Sequence, residues 1–191
     1  MQLLCPVCGL ELNKNERTWR CPNNHCFDEA RQGYVNLLTV DRKHAKHPGD
    51  TKEQVAALPF PDHSFDGVLS MFALTVEQEF ARVLAKNGWY LQVIAGPEHL
   101  MGLKSLIYPE ILRKEKTLHP EFAGFHLERT ETLEFSFTVD SAAQVQNLLS
   151  MTPHFWRISK EGAARLAATE SLTDTAQVIF NLYRKEDSHA G

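Results

Sequence analysis

The stretch 5-CPVCGLELNKNERTWRCPNNHC-26 decides the fold of the first part of the chain. It contains a C-x2-C-x12-C-x3-H pattern made by Cys5, Cys8, Cys21 and His25. A Cys-x-x-Cys turn directs two thiolates at one point, and a second pair of ligands completes a tetrahedron around Zn2+. The sequence between the pairs suits a short hairpin, because 10-LEL-12 and 18-TWR-20 alternate as strands do. The stretch therefore predicts a small module folded around zinc.

Two alternatives remain open at this cluster. Cys26 follows His25 directly and could replace it as the fourth ligand, and the cysteines could instead form two disulfides. The opening residues MQLLCPVCG lack the basic start and long apolar core of a secretory signal, which predicts a cytoplasmic protein. In that compartment paired cysteines are typical of metal sites. We expect a structural zinc ion, because four protein ligands leave no open position for chemistry.

Composition predicts one ordinary domain in addition to this module. The chain has 191 residues, of which 43% are hydrophobic, and no apolar run approaches the length of a membrane span. The formal net charge of -4 disfavours a wholly basic nucleic-acid-binding protein. We predict a zinc-binding module over residues 1–30, a linker over 31–53 and a larger domain over 54–191.

The predicted linker contains a short basic stretch, 42-RKHAKH-47. Its cationic residues Arg42, Lys43 and Lys46 suit contacts with the phosphates of RNA. A solvated connector without a ligand would have the same composition, so this stretch alone does not decide between the two.

The chain after residue 54 has the pattern of an α/β domain. A strand over 67–72, a helix from Thr75 to the Asn87-Gly88 pair and a strand over 89–94 predict a βαβ unit of a parallel sheet. Thr75 and Gln78 have the spacing of a capping box. Further elements are predicted as a helix around 100–111, a strand over 133–139, a helix capped by Asp140 or Ser141 that runs to 151, a helix over 160–168 and a strand over 175–185.

Several stretches resemble, in order, blocks of one known family. They are CPVCG, CPNNHCFD, GYVNLL and HPGDTKE, followed by LPFPDHSFDGVLSMFAL, GPEHL and LLSMTPHFWR. Together they resemble the bacterial 23S rRNA (guanine-N1)-methyltransferases. The resemblance implies a Rossmann-like class I methyltransferase domain, S-adenosylmethionine as methyl donor, a hairpin of 23S rRNA as substrate and a homodimer. It also implies that His99, in GPEHL, approaches the cofactor.

The glycine-rich turn that would bind the cofactor is missing from this sequence. No G-x-G or G-x-G-x-x-G occurs in the 191 residues, and HPGDTKE leads almost directly into LPFPD. We therefore predict an incomplete Rossmann-like domain that lacks about two βα units, roughly 60–80 residues, at a seam near residues 52–55. The strand over 67–72 would then have an exposed edge, through which a second copy of the chain could pair. A shifted strand order is the alternative.

The resemblance implies that the chain is an enzyme that methylates guanine N1 in a hairpin of 23S rRNA. The alternatives are a non-catalytic zinc-containing RNA-binding relative and an internally deleted fragment without a function of its own. Two aromatic residues bear on the choice, since Phe72 and Trp156 could each stack on a base. The sequence favours a core position for Phe72 and a packing position for Trp156.

Overall fold

The computed structural model describes residues 2–31, 33–35, 37, 58–111 and 117–186. The linker residues Arg42, Lys43 and Lys46 and the predicted seam near 52–55 lie outside the described residues. The chain forms two compact units. Unit 1 comprises Met1–Gln92, Glu121–Glu128 and Leu182–Gly191, and unit 2 comprises Val93–Pro120 and Arg129–Asn181, in each case as far as these residues are described.

The N-terminal module, called the ribbon here, is a three-stranded antiparallel sheet. Its strands are β1 (Asn13–Asn15), β2 (Thr18–Arg20) and β3 (Cys26–Asp28), in the order β1-β2-β3. The sequence predicts the second strand correctly but places the first at 10–12. Those residues instead pair with residues 3–4. Leu4 and Glu11 form an antiparallel bridge, and the Leu12 N–H donates to the Leu3 carbonyl at 2.9 Å.

The small ribbon core includes two of the predicted metal ligands. Its buried members are Leu3, Cys5, Leu12 and Cys21. Val35 and Leu37, which the sequence assigns to the linker, also pack against this core. A core of this size supplies little apolar burial, so the ribbon needs a further source of stability.

The remaining strands form one four-stranded sheet. They are β4 (Phe65–Met71), β5 (Leu84–Ala95), β6 (Phe125–Val139) and β7 (Leu172–Lys185), in the order β4-β5-β7-β6. The helices are α1 (Glu77–Val83), α2 (Met101–Ile107), α3 (Ala142–Ser150), a 3₁₀ helix (Pro153–Arg157) and α4 (Lys160–Ala167). This architecture confirms the predicted α/β class.

Local signals around α1 were overridden by packing. The predicted capping box is wrong: the N-cap is Val76, without a side-chain cap, and the Thr75 hydroxyl forms a 2.5 Å hydrogen bond with the Tyr90 hydroxyl. The helix also ends at Val83, before the Asn87-Gly88 pair. Leu84 is fully buried beside Tyr90 and adopts an extended backbone, so β5 begins there. Tertiary contacts routinely override weak local propensity in this way.

The helix predicted around 100–111 is shorter than its apolar pattern suggests. α2 ends at Ile107, and Tyr108 adopts an extended backbone. Tyr108 precedes Pro109, and the residue before a proline avoids the helical region for steric reasons. No helix among the residues described is long and apolar enough to cross a membrane.

The core of unit 2 brings α2 and α4 into close contact. Leu103, Ile107 and Leu166 are buried there. Gly162, in α4, lies so close to α2 that an added Cβ would be 2.3 Å from the Ile107 carbonyl oxygen. Only a glycine allows this approach without displacing backbone.

We expect Gly162→Ala to destabilise the protein by about 1–3 kcal/mol, the usual cost of overpacking. Helix propensity alone predicts the opposite sign, since alanine is favoured over glycine by about 1 kcal/mol. Urea denaturation of Gly162→Ala decides between the two effects. Ala163→Gly, at an exposed position of the same helix, calibrates the propensity effect. A rise in the stability of Gly162→Ala would contradict the close contact.

Candidate functional site

Two tight turns present the predicted metal ligands. In the first, the Gly9 N–H donates to the Cys5 carbonyl at 2.8 Å, and Gly9 takes the left-handed conformation with φ of 73°. In the second, the Asn24 N–H donates to the Cys21 carbonyl at 2.9 Å, and Asn24 has φ of 63°. Glycine and asparagine adopt this conformation at the lowest cost. The local sequence therefore directs each pair of ligands toward a common point.

The four ligand atoms converge as a metal requires. The Sγ atoms of Cys5, Cys8 and Cys21 and a ring nitrogen of His25 all lie within 4.8 Å of one another. The Cys8 and Cys21 sulfurs are 3.6 Å apart, and His25 Nδ1 is 3.5 Å from Cys5 Sγ and 3.3 Å from Cys21 Sγ. Tetrahedral zinc with ordinary bond lengths sets about 3.8 Å between sulfurs and about 3.5 Å between sulfur and nitrogen. The donor set and its dimensions fit Zn2+.

The structure bears on both alternatives at this cluster. Cys26 is exposed, and its Sγ is 3.9 Å from Arg20 Nη2 rather than at the cluster. All four cysteines are free thiols. His25 therefore completes the group of four, and the cysteines are not paired as disulfides.

The thiols of the first turn differ in their electrostatic surroundings. Burial raises the pKa of the Cys5 thiol. The backbone N–H of Leu10 lowers the pKa of the Cys8 thiol. A bound divalent cation favours the thiolate form of both, because it supplies the opposite charge at bonding distance.

A short segment, residues 58–62, joins the ribbon to α1 within unit 1. The Leu4 N–H donates to the Pro59 carbonyl at 2.8 Å, and Phe60 packs against the ribbon core. Arg82, in α1, donates to the carbonyls of Leu58 at 3.0 Å and Phe60 at 2.8 Å. This arginine therefore fixes the segment against which the ribbon packs.

Arg82 is itself held by carboxylates. Its guanidinium forms a two-pronged contact with Glu79, at 2.8 and 2.5 Å, and a 2.6 Å contact with Asp62. The hydrogen bonds that the guanidinium donates to Glu79 raise the pKa of Arg82. Sequence analysis missed this network, although the i, i+3 spacing of Glu79 and Arg82 on a predicted helix is a signal that could have indicated an ion pair.

The structure places the other candidate residues, His99, Phe72 and Trp156, in different surroundings. His99 is half-buried, and its Nδ1 accepts a 3.2 Å hydrogen bond from the Gln177 N–H. Phe72 follows β4 with φ of 51° and is 56% exposed, and Trp156 is 61% exposed. The expectation that Phe72 occupies a core position is wrong, because more than half of its side chain is exposed. Trp156 packs against Phe155, as expected, but most of its surface is also exposed.

The sheet provides a test of the expected S-adenosylmethionine site. In a doubly wound sheet of order 3-2-1-4-5-6, the first strand carries the glycine turn and lies beside the fourth. β4 is at the edge of the order β4-β5-β7-β6, and none of the described strands pairs with its outer side. The sequence also has no glycine turn, so the described part of the chain does not fit a site for this cofactor.

Comparisons with known proteins agree with the ribbon geometry. Residues 3–46 match a sequence model described as RlmA, N-terminal, a zinc ribbon. A 23S rRNA (guanine(748)-N(1))-methyltransferase of Streptomyces fradiae is 53% identical over 55 residues, which are 29% of this chain and 19% of the relative. A Micromonospora griseorubida protein named as a 23S rRNA (guanine-N(1)-)-methyltransferase is 54% identical over 59 residues, 29% of this chain and 19% of the relative.

A longer match comes from YxjB of Bacillus subtilis (strain 168), also named as a 23S rRNA (guanine-N(1)-)-methyltransferase. It is 30% identical over 128 residues, which are 65% of this chain and 45% of the relative. The matches thus span less than half the length of each relative. A solved methyltransferase structure from Bacillus halodurans C-125 has a TM-score of 0.38 and 17% identity over 70% of this chain and 69% of that chain, too little to support an assignment.

The zinc-ribbon match and the curated relatives agree with each other. Residues 3–46 match the zinc ribbon of the RlmA model, and parts of the chain are similar to proteins named as 23S rRNA (guanine-N1)-methyltransferases.

Proposed function

We propose that this chain binds a hairpin of 23S rRNA through its zinc ribbon and linker, and that it does not bind S-adenosylmethionine by itself. The observation that carries the proposal is the convergence of four ligand atoms within 4.8 Å. The four ligands lie within residues 3–46, which match the RlmA zinc-ribbon model. The Streptomyces and Micromonospora relatives are named as 23S rRNA methyltransferases, which supports rRNA as the ligand.

In this proposal the metal is structural. Zn2+ is held by the sulfurs of Cys5, Cys8 and Cys21 and by His25 Nδ1. Four protein ligands fill a tetrahedron, so the ion orders the ribbon and performs no chemistry. The ribbon over 1–30 then presents a fixed surface to RNA, and the partial methyltransferase domain over 54–191 follows the linker.

Arg42, Lys43 and Lys46 of the linker make the phosphate contacts. Each phosphate neutralised by a protein cation releases a counterion, which makes the affinity depend on salt. The outer edge of β4 is where a second copy of the chain would pair in a homodimer, because an unpaired strand edge is a template for another strand.

The activity named for the relatives is the second candidate. Methylation of guanine N1 needs a methyl donor held in line with the base, and His99 is the residue that the family resemblance brings near the donor. This candidate also requires the backbone donors and the ribose carboxylate that the missing segment would supply. Each such charged hydrogen bond contributes about 1.5–3 kcal/mol, so their loss removes most of the affinity for the donor.

RNA binding by the zinc-loaded chain is the test of the proposal. We expect a labelled 23S rRNA hairpin to bind with an affinity that falls steeply between about 50 and 200 mM salt. Changing Arg42, Lys43 and Lys46 together to alanine should reduce the slope of log affinity against log salt by about 2–3, at roughly 0.7–0.9 per phosphate contact. Lys86→Ala, an exposed lysine outside the linker, is the control. Absence of hairpin binding at the lowest salt would contradict the proposal.

A further inference from the structure

The 3₁₀ helix of unit 2 separates its side chains onto three faces. Residues i and i+3 eclipse in a 3₁₀ helix, so each face repeats every third residue. Phe155 and Ile158, the residue that caps the end of the helix, form one face and pack against the core of unit 2. His154 and Arg157 share the second face. Trp156 lies on the third.

Trp156 is exposed over 61% of its surface although it is a large apolar side chain. Phe155 contacts it in an edge-on arrangement, with ring centroids 5.0 Å apart and planes at 90°. The ring is thus supported by a side chain that is anchored in the core, and most of its surface faces solvent. An indole held in this way is suited to stacking on another flat ring.

The neighbouring face combines a half-buried histidine with an exposed arginine. The Tyr108 hydroxyl and His154 Nδ1 form a 2.8 Å hydrogen bond, which fixes the imidazole against α2. Burial lowers the pKa of His154, and the nearby cationic groups of Lys104 and Arg157 lower it further. Arg157 is exposed and, within the described parts of the chain, forms no ion pair with a carboxylate.

We propose that Trp156 and Arg157 form a second RNA-binding surface, in unit 2, which takes unpaired nucleotides of the hairpin. Trp156 stacks on an unpaired base, and Arg157 contacts an adjacent phosphate. Stacking on an aromatic ring tolerates any base, and arginine beside it adds a phosphate contact and a cation–π contribution. This inference rests on the proposed RNA-binding function and names the part of the RNA that unit 2 takes.

An unpaired loop is favoured over a paired stem by the chemistry of the surface. Bases in a duplex are already stacked, whereas those of loops and bulges can be splayed onto aromatic side chains. A protein partner would also favour exposed tryptophan and arginine, since both are enriched at interface hot spots. The exposed cation Arg157 beside the indole makes a polyanion the better match, and the experiment separates the two partners.

The experiment measures fluorescence anisotropy of the full zinc-loaded chain with two labelled RNAs, a hairpin with an unpaired loop and a blunt duplex of the same stem. We expect Trp156→Ala to weaken hairpin binding roughly tenfold without changing the salt slope, and Trp156→Phe to restore most of the affinity. Arg157→Ala should weaken binding and reduce the slope by about 1. Duplex binding should change little with the Trp156 variants.

Arg129→Ala is the matched control, because Arg129 is an exposed arginine of unit 2 that pairs with Glu131. It should leave both affinity and slope unchanged. If the wild-type chain binds the hairpin and Trp156→Ala binds it equally well, this inference is overturned and the proposed function stands. If Trp156→Ala instead abolishes self-association of the chain while RNA affinity is unchanged, the surface is a protein interface and the inference is again overturned. Failure of the wild type to bind either RNA overturns both proposals.

Discussion

Replacing Cys21 by serine is expected to abolish zinc binding and unfold the ribbon. Cys21 is buried, and its Sγ lies 3.6 Å from Cys8 Sγ and 3.3 Å from His25 Nδ1. Zinc contributes about 10–16 kcal/mol to the folding of small zinc modules, which is more than a core of this size can replace. Zinc content should fall from about one ion per chain to nearly none by the stoichiometry of a four-ligand site. Amide exchange protection of β1–β3 should be lost with it.

Cys26→Ser is the matched control for this prediction. Cys26 is exposed and is not part of the four-residue cluster, so its replacement should leave zinc content and ribbon protection unchanged. Loss of zinc from Cys26→Ser with retention in a His25→Ala variant would show that the fourth ligand is wrong. Retention of zinc and of ribbon protection in Cys21→Ser would contradict the metal centre altogether.

Replacing Arg82 by alanine is expected to cause the second largest loss. Its partner Glu79 has a side chain only 9% exposed, so removal of the guanidinium leaves a nearly buried carboxylate unpaired. Breaking a buried pair in this way costs about 3–5 kcal/mol, and the 31% exposure of Arg82 lowers the expected value to about 2–3 kcal/mol. The carbonyls of Leu58 and Phe60 also lose their donor. We therefore expect the ribbon to detach more easily from α1.

Urea denaturation and amide exchange measure these two effects. Arg82→Lys retains the charge but cannot make the two-pronged contact, so its stability should lie between wild type and Arg82→Ala. Lys160→Ala, at an exposed position, controls for the loss of one charge. If Arg82→Ala were as stable as Lys160→Ala, the proposed role of this arginine in fixing residues 58–62 would be wrong.

The ribbon was the most predictable part of the chain. The spacing of Cys5, Cys8, Cys21 and His25 limits the geometries that bring four ligands together, and local turn residues such as Gly9 and Asn24 complete the information. The strands β4 and β7 were also visible, because a buried strand and an alternating strand each have a characteristic pattern. These features are encoded over a few neighbouring residues.

Features that depend on distant contacts were not predictable in the same way. The start of β5 at Leu84 follows from burial beside Tyr90 and Tyr183, which a turn signal at Asn87-Gly88 does not reveal. Of the two neighbouring aromatic residues in the 3₁₀ helix, Phe155 packs against the core of unit 2 and Trp156 is left exposed. Neither arrangement could be read from local periodicity, because the deciding partners are far away in the sequence or on another face of the same turn.

Titration calorimetry of S-adenosylmethionine into the zinc-loaded chain tests the central claim most directly. The claim is that this chain has the zinc ribbon of the RlmA model and that its described residues lack the strands that would hold the methyl donor. We expect no binding heat up to about 1 mM ligand, a concentration at which even a site contributing about 4 kcal/mol would be half filled. Saturable binding with a micromolar Kd would contradict the claim, because it would require a donor pocket built without the glycine turn.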